Sequence, residues 1–208
     1  MKKSDITPIV ESFNDLELAP VLLSTLTALG YEVPTPIQQQ SIPILLEGHD
    51  LLAQAQTGTG KTAAFCVPMI NFLLENPTAH ALVMLPTREL AIQVASAITK
   101  YGKSLGIRVV PVYGGAPMGR QVEQLKAGGQ VVSGTPGRVL DHLRRGTLNL
   151  SNLRVLVLDE ADEMLSRGFK TQIYDIYRVL PHETQVVVVS ATFPAETLAL
   201  TAKFMVDP

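Results

Sequence analysis

The sequence predicts an α/β domain, a three-layer sandwich in which helices cover both faces of a mostly parallel central sheet. Short aliphatic runs recur along the chain, as expected for strands buried on both faces, and helical patterns separate them. A glycine-rich turn joins the first of these runs directly to a helical pattern. The alternation continues without a linker or a repeat, so we expect one domain, residues 1–208, with right-handed crossovers.

The individual elements follow from these patterns. Residues 1–15 are polar and are expected to form a loosely attached arm. A helix is predicted over 16–29, ending at Gly30, and Pro36 is well placed to open the next helix. Further helices are predicted after Thr62 and at 88–102, 117–127, 136–144, 168–179 and 195–204. Strands are predicted at 51–53, 81–85, 108–112, 130–132, 155–158 and 186–189.

Composition argues against several classes of protein. The net charge of −2 does not suit a purely electrostatic nucleic-acid binder, so any such contact requires a local basic patch or a partner. The single cysteine, Cys66, and the four scattered histidines offer neither a disulfide nor a metal-ligand spacing. The N-terminus has no apolar core of a signal peptide, and no run reaches transmembrane length. We therefore expect a cytoplasmic protein without a membrane anchor.

The turn after the first strand has the features of a phosphate-binding loop. Its glycines allow backbone N–H groups to surround a phosphate, and the following helix adds its positive N-terminus. Lys61 would reach the β and γ phosphates, and the Thr62 hydroxyl would coordinate Mg²⁺. The strict pattern has glycine at its first position, where this chain has alanine, so a turn that binds nothing remains the alternative. The predicted loop consists of Ala55, Gln56, Thr57, Gly58, Thr59 and Gly60.

Two acidic residues directly follow the strand predicted at 155–158. An acid at this point is where a phosphate-loop enzyme needs its second metal contact, so Asp159 is predicted to hold Mg²⁺. Glu160 could orient or deprotonate the water that attacks the γ phosphate. The alternative is an acidic N-cap of the next short helix, a role that Asp162 could also have.

Other polar residues follow the remaining strands, at the edge where parallel sheets bind ligands. The hydroxyls of Ser190 and Thr192 could hydrogen-bond Asp162 or the γ phosphate, although a simple ST-turn or a helix cap before Pro194 fits the spacing almost as well. The segments 86–90, 114–115 and 134–138 combine exposed backbone, threonine hydroxyls and two arginines. Each alone is an ordinary turn, but together they favour a surface that follows a sugar–phosphate backbone.

Taken in order, these segments resemble the DEAD-box ATP-dependent RNA helicases, whose name is spelled by Asp159-Glu160-Ala161-Asp162. The resemblance extends from Phe13 to Thr192, and the surrounding segments are most similar to the bacterial, cold-shock-type members. Residues 30–38 look like the family's Q motif, within a Q-motif region at about 12–40, and 55–62 match its phosphate loop, which begins with alanine. Residues 86–90, 114–115, 135–138 and 190–192 resemble motifs Ia, GG, Ib and III.

The resemblance implies a RecA-like P-loop NTPase fold, ATP and Mg²⁺ as ligands, and RNA as a partner. Gln38 would recognise adenine and Phe13 would stack on it, while Lys61, Asp159 and Glu160 would serve catalysis. Asp162, Ser190 and Thr192 would couple the nucleotide state to RNA. The backbone of single-stranded RNA or a short duplex would contact Pro86, Thr87, Arg88, Gly114, Gly115, Thr135, Pro136, Gly137 and Arg138.

Family members have a second, C-terminal RecA-like domain with arginine fingers, and nothing after Thr192 resembles it. We therefore expect the amino-terminal half of a helicase that partners such a domain, binds ATP or ADP weakly and hydrolyses it poorly alone. The alternatives are a noncatalytic ATP-gated RNA clamp and a DNA translocase of the same superfamily. A small-molecule kinase is disfavoured because no lid or acceptor pocket is evident.

Overall fold

The computed structural model describes residues 10–208, so the part of the predicted arm at 1–9 lies outside it. The described chain contains six strands in one sheet, ordered β1-β6-β5-β2-β4-β3. Every pairing between neighbours is parallel, which confirms the predicted fold class. The strands are β1 (Leu51–Gln54), β2 (His80–Met84), β3 (Val109–Val112), β4 (Val131–Gly134), β5 (Leu153–Asp159) and β6 (Gln185–Ser190).

The helices of the described part fall close to their predicted positions. Those predicted at 88–102, 136–144 and 195–204 have the predicted bounds, whereas the first begins at Pro20 rather than at 16, because proline is favoured in the first turn of a helix. The helices are α1 (Pro20–Ala28), α2 (Pro36–Leu46), α3 (Lys61–Glu75), α4 (Arg88–Gly102), α5 (Met118–Lys126), α6 (Pro136–Arg144), α7 (Ala161–Ser166), α8 (Lys170–Tyr177) and α9 (Ala195–Phe204).

The core consists of two apolar layers, one on each face of the sheet. In β2, Ala81 and Val83 pack into the layer beneath α1 to α4, while Leu82 and Met84 pack into the layer beneath α6 to α9. Because both faces are covered, consecutive residues are all apolar and no alternation with polar residues remains. This burial explains why the strands were visible in the sequence as uniform aliphatic runs.

The prediction of a loosely attached arm is wrong for residues 10–15. Phe13 is 1% exposed and belongs to the core layer formed by α1 to α4. Its ring packs edge-on against Tyr31 at 5.9 Å between centroids, and its backbone N–H donates to the carbonyl of Glu32 at 3.3 Å. An aromatic side chain that can bury its whole surface fixes the segment that carries it.

The strand order divides the carboxyl edge of the sheet into two halves. The neighbouring strands β1, β6 and β5 end at the glycine-rich loop, at Ser190 and at Asp159. The other three neighbours, β2, β4 and β3, end next to the segments 86–88, 135–138 and 114–115. Residues far apart in sequence therefore meet as two adjoining groups, with β5 and β2 at the boundary between them.

No helix among residues 10–208 has both the length and the apolar character that a membrane span requires.

Candidate functional site

The glycine-rich loop runs from the end of β1 to the first residue of α3. Gly58 and Gly60 have φ of 86° and 88°, in the left-handed region that glycine adopts at little cost. A Cβ atom on Gly60 would lie 2.7 Å from Nε2 of Gln38 and 2.8 Å from Oγ1 of Thr35, whereas one on Gly58 would meet nothing within 4 Å. The glycine at 60 is therefore required by both its backbone angle and a close contact with the start of α2.

Gln38 joins this loop to α2. Its side chain is 3% exposed, Nε2 donates to the carbonyl of Gly60 at 3.1 Å, and Oε1 accepts from the N–H of Thr35 at 2.9 Å. Both ends of the amide therefore have partners inside the protein. The predicted contact with adenine would have to replace one of these two hydrogen bonds.

Phe13, the second residue predicted at the adenine, is also buried, and its ring contacts Tyr31. Stacking on a base needs an exposed ring face, which Phe13 does not offer in this arrangement. The sequence could not reveal this burial, because an isolated aromatic residue in a polar segment has the same appearance whether it is exposed or packed.

Lys61 connects the loop to the acidic residues at the end of β5. It is 7% exposed, and its ammonium nitrogen lies 3.0 Å from Oε1 of Glu160 and 3.2 Å from Oδ1 of Asp159. Burial alone would lower the pKa of Lys61, but the two carboxylates outweigh it and raise the pKa above its usual value. The lysine is therefore a positive charge held between two carboxylates.

The two carboxylates lie where the sheet ends. Burial raises the pKa of Asp159 and the pKa of Glu160, and the nearby Lys61 opposes this rise in both. Glu160 has a φ of 57°, which non-glycine residues rarely adopt outside turns and functional sites. It occupies the N-cap position of α7 without a side-chain capping bond. Asp162 lies in the first turn of that helix, and its Oδ1 accepts from the N–H of Glu163 at 3.0 Å, a contact of the kind that the acidic-cap alternative describes.

The donor set fits a magnesium ion bound together with phosphates. Oδ1 of Asp159 is buried, and its one close donor in the described chain is the ammonium nitrogen of Lys61 at 3.2 Å, so this oxygen has room for a further partner beside the loop. Thr62 is the second residue of α3, in the turn that faces the loop. Within residues 10–208 no group of three or more carboxylate, histidine or cysteine side chains could hold a metal alone. Mg²⁺ characteristically takes one or two protein ligands and completes its octahedron with water and phosphate oxygens.

Open cavities lie on both sides of the loop. One, of about 480 Å³, is lined by the loop residue Thr57 together with Lys61, Glu160, Asp162 and Thr192. The other, of about 530 Å³, lies between the loop and the start of α2 and is lined among others by Thr35 and Gln56. The loop thus has accessible space on the side of the carboxylates and on the side of Gln38.

Asp162, Ser190 and Thr192 form a hydrogen-bonded cluster between α7 and the end of β6. Oδ2 of Asp162 accepts from the N–H and the hydroxyl of Thr192, at 3.1 and 2.5 Å, and the Ser190 hydroxyl accepts from the N–H of Asp162 at 3.1 Å. Burial would raise the pKa of Asp162, but these hydrogen bonds outweigh it and lower the pKa below its usual value. The predicted contact between these hydroxyls and Asp162 is therefore present.

The loops of the other half of the edge form a basic surface. The guanidinium of Arg88 lies 5.1 Å from the centre of the Tyr113 ring, and a Cβ on Gly115 would lie 3.8 Å from Nη1 of Arg88. Nη1 of Arg138 donates to the carbonyl of Ala116 at 3.0 Å. Neither arginine forms a salt bridge with any residue between 10 and 208, so both charges remain available at this surface.

The predicted RNA-contacting residues differ in accessibility. Arg88, Gly114 and Gly115 are exposed, and Thr87, Thr135, Gly137 and Arg138 are partly exposed. Pro86 and Pro136 are buried, so any contact that they make with RNA would use the backbone and not the side chain. Pro136 is the first residue of α6, where its fixed φ suits the start of a helix.

Sequence reasoning missed Tyr113 and Gln121. Tyr113 directly follows β3, a position that could have singled it out, whereas Gln121 lies within α5 and its pattern gave no signal. Gln121 is 3% exposed, and its Nε2 donates to the carbonyl of Tyr113 at 2.9 Å. A buried glutamine is recognisable only from the packing around it.

Comparison with known proteins gives concordant matches. Residues 35–201 match the family model described as DEAD/DEAH box helicase. The chain is 49% identical over 205 residues to the ATP-dependent RNA helicase DeaD of Buchnera aphidicola subsp. Acyrthosiphon pisum, covering 98% of this chain and 34% of that protein. It is 47% identical over 208 residues to the ATP-dependent RNA helicase FAL1 of Yarrowia lipolytica, covering all of this chain and 52% of that protein.

A solved structure is similar over most of the chain. It is a DEAD box protein from the hyperthermophile Methanococcus jannaschii, with a TM-score of 0.90 and 42% identity, and the match covers 94% of this chain and 54% of that one. The chain thus spans between a third and about half of the length of these relatives.

Proposed function

This chain belongs to the DEAD/DEAH box helicase family, and we propose that it is the ATP-binding domain of an ATP-dependent RNA helicase. In this proposal it binds ATP with Mg²⁺ at one half of the sheet edge and the RNA backbone at the other. The observation that supports it most is the contact of Lys61 with Asp159 and Glu160, which places the phosphate loop directly against two carboxylates.

Nucleotide binding would use the loop and the side chains around it. The backbone N–H groups of residues 56–60 and the N-terminus of α3 would surround the phosphates, and Lys61 would balance their charge. Gln38 contacts Gly60 and a cavity lined by Thr35 adjoins the loop, so in this proposal the base would extend toward them. Gln38 would then exchange its bond to Gly60 for one to adenine.

Hydrolysis would depend on the carboxylates at the end of β5. Thr62 and Asp159 would hold Mg²⁺, which would balance the charge that develops on the phosphates. Glu160 would orient the attacking water and accept its proton, a role that suits a carboxylate whose burial raises its pKa. Its left-handed backbone turns the side chain toward Lys61 and the cavity instead of toward a capping bond.

RNA would be held by the adjoining loops. Arg88 and Arg138 carry charges without carboxylate partners among residues 10–208, and the partly exposed Thr87 and Thr135 lie beside them. Such a set contacts phosphates without reading bases, so the proposal includes binding of single-stranded RNA or a short duplex regardless of sequence. Asp162, Ser190 and Thr192 would transmit the nucleotide state to this surface.

Unwinding would require a second, C-terminal RecA-like domain, with which this chain would close around ATP and RNA. The compartment we propose is the cytoplasm. The test is ATP hydrolysis by the chain alone and joined to the C-terminal domain of a relative such as DeaD, with RNA and with DNA of the same sequence. Stimulation by RNA in the joined protein supports the proposal. Equal stimulation by DNA would instead support a DNA translocase, and RNA binding without hydrolysis would support a clamp.

A further inference from the structure

A buried polar bridge lies beneath the proposed RNA surface. Gln121 is the one buried residue of α5, and its side chain points away from solvent toward the ends of β3 and β4. Nε2 donates to the carbonyl of Tyr113 at 2.9 Å, and Oε1 lies 3.2 Å from Nη1 of Arg138 and 3.0 Å from Nε2 of His142. A buried amide with all these partners stabilises one arrangement of the groups around it.

The hydrogen-bond roles within this bridge follow from chemistry. Arginine only donates and a carbonyl only accepts, so the amide of Gln121 must direct its oxygen to Arg138 and its nitrogen to Tyr113. Because Oε1 accepts, His142 must carry its proton on Nε2, and its Nδ1 then faces the hydroxyl of Thr147 at 2.8 Å. Burial, and then the charge of Arg138, lowers the pKa of His142, which keeps the ring neutral.

The bridge joins two loops that approach the sheet edge from different strands. Tyr113 and Ala116 bracket the Gly114-Gly115 turn after β3, and their carbonyls accept from Gln121 and Arg138. Arg138 lies in the first turn of α6, after β4. Only Nη1 of Arg138 donates to acceptors within the protein, whereas its other guanidinium nitrogens have no acceptor within residues 10–208. The same side chain can therefore fix the turn and face a phosphate.

We propose that Gln121 is a positioning residue that fixes the turn at 113–116 to the first turn of α6 and so sets the spacing of two RNA-contacting loops. The inference rests on the proposed function, because it assigns these loops to RNA. Gln121 itself touches no RNA. It acts through Arg138 and through the carbonyl of Tyr113, whose ring also lies beneath Arg88.

The test compares Gln121→Leu with Gln124→Leu, a change on the same helix at a residue without a side-chain hydrogen bond in the described chain. Binding of a fluorescein-labelled polyuridylate strand and of ADP is measured for each. Loss of the bridge leaves buried partners unpaired, so Gln121→Leu is expected to weaken RNA binding about tenfold. ADP binding is expected to stay at the wild-type value, and Gln124→Leu is expected to behave as wild type in both assays.

A second variant separates positioning from general stability. Gln121→Glu keeps an acceptor for Arg138 and His142 but loses the donor to Tyr113, so it is expected to restore part of the RNA affinity lost in Gln121→Leu. Its carboxylate should also raise the pKa of His142, and this pKa is measured by NMR titration of the imidazole. If the His142 titration is unchanged in Gln121→Glu, the side chains do not touch and the inference is wrong.

The remaining outcomes are distinguishable. Equal RNA binding by wild type and Gln121→Leu contradicts the inference alone. A parallel loss of RNA and ADP binding in Gln121→Leu also contradicts it, because Gln121 would then support the whole domain. Absence of RNA binding by the wild type contradicts the proposed function, while the His142 titration still reports whether the bridge exists.

Discussion

The ammonium nitrogen of Lys61 lies 3.0 Å from Oε1 of Glu160, so the proposed phosphate-binding cation is paired with the proposed catalytic carboxylate. Each keeps the other charged where burial would favour the neutral forms. A triphosphate that takes Lys61 as its own partner would separate this pair and release Glu160 toward the attacking water. Nucleotide binding and the availability of the Glu160 carboxylate to the water would then be linked through Lys61.

The first prediction concerns Glu160. Glu160→Gln keeps the size of the side chain but removes the proton acceptor, so ATP hydrolysis should fall by roughly 10²- to 10⁴-fold while nucleotide binding persists. The measurement is phosphate release by the chain joined to a C-terminal domain. Glu183→Gln is the control, because Glu183 is exposed, precedes β6 at the opposite edge of the sheet and pairs with Arg154. A Glu160→Gln protein as active as the control would show that another group orients the attacking water and accepts its proton.

The second prediction concerns the two glycines of the loop. Gly60→Ala and Gly58→Ala impose the same left-handed backbone on alanine, at about 1 kcal/mol each, but only at 60 does the new Cβ meet Gln38 and Thr35. We expect Gly60→Ala to lower the free energy of unfolding more than Gly58→Ala, measured by urea denaturation. Equal losses in the free energy of unfolding would mean that Gln38 and Thr35 move away from the new Cβ at little cost.

The third prediction is a dependence on pH. The lowered pKa of Asp162 means that its hydrogen bonds stabilise the fold above its unfolded pKa, and that this stability is lost as pH falls through the lower folded pKa. Thr192→Val removes one hydroxyl donor, so it should cost about 1 kcal/mol at neutral pH, reduced by partial exposure. The cost should shrink at an acidic pH below the unfolded pKa of the carboxyl, because protonation of Asp162 removes the acceptor.

The control for this experiment is Thr184→Val, because the hydroxyl of Thr184 donates only to backbone carbonyls, which do not titrate. Its cost, also followed by urea denaturation, should be the same at both pH values. If the loss of stability in Thr192→Val were also the same at both pH values, the hydrogen bond to the Asp162 carboxylate would not be its cause.

The fourth prediction concerns the basic surface. Arg88 has no carboxylate partner in the described chain and lies over Tyr113, so Arg88→Gln should weaken binding of every RNA sequence similarly. The slope of the logarithm of the affinity against the logarithm of the salt concentration should fall by about 1. Arg178→Gln, on a distant exposed site paired with Asp175, should leave the slope unchanged. An unaltered slope in Arg88→Gln would place the RNA elsewhere.

The sequence was sufficient to predict the fold, because strands buried on both faces and helices between them leave patterns that are local in sequence. The phosphate loop and the acids after β5 were visible for the same reason, since each follows its strand directly. What could not be predicted depends on contacts between distant segments. The burial of Phe13 against Tyr31, the use of the Gln38 amide by Gly60, and the burial of Gln121 all arise only when the sheet assembles.

The most direct measurement of the central claim is a titration with ATP, with and without Mg²⁺, of the wild type and of Lys61→Ala. Lys170→Ala, an exposed lysine paired with Glu196, is the control. The account predicts binding that Mg²⁺ strengthens, that Lys61→Ala abolishes and that Lys170→Ala preserves. Binding that is indifferent to Mg²⁺, or as strong in folded Lys61→Ala as in the wild type, would contradict it.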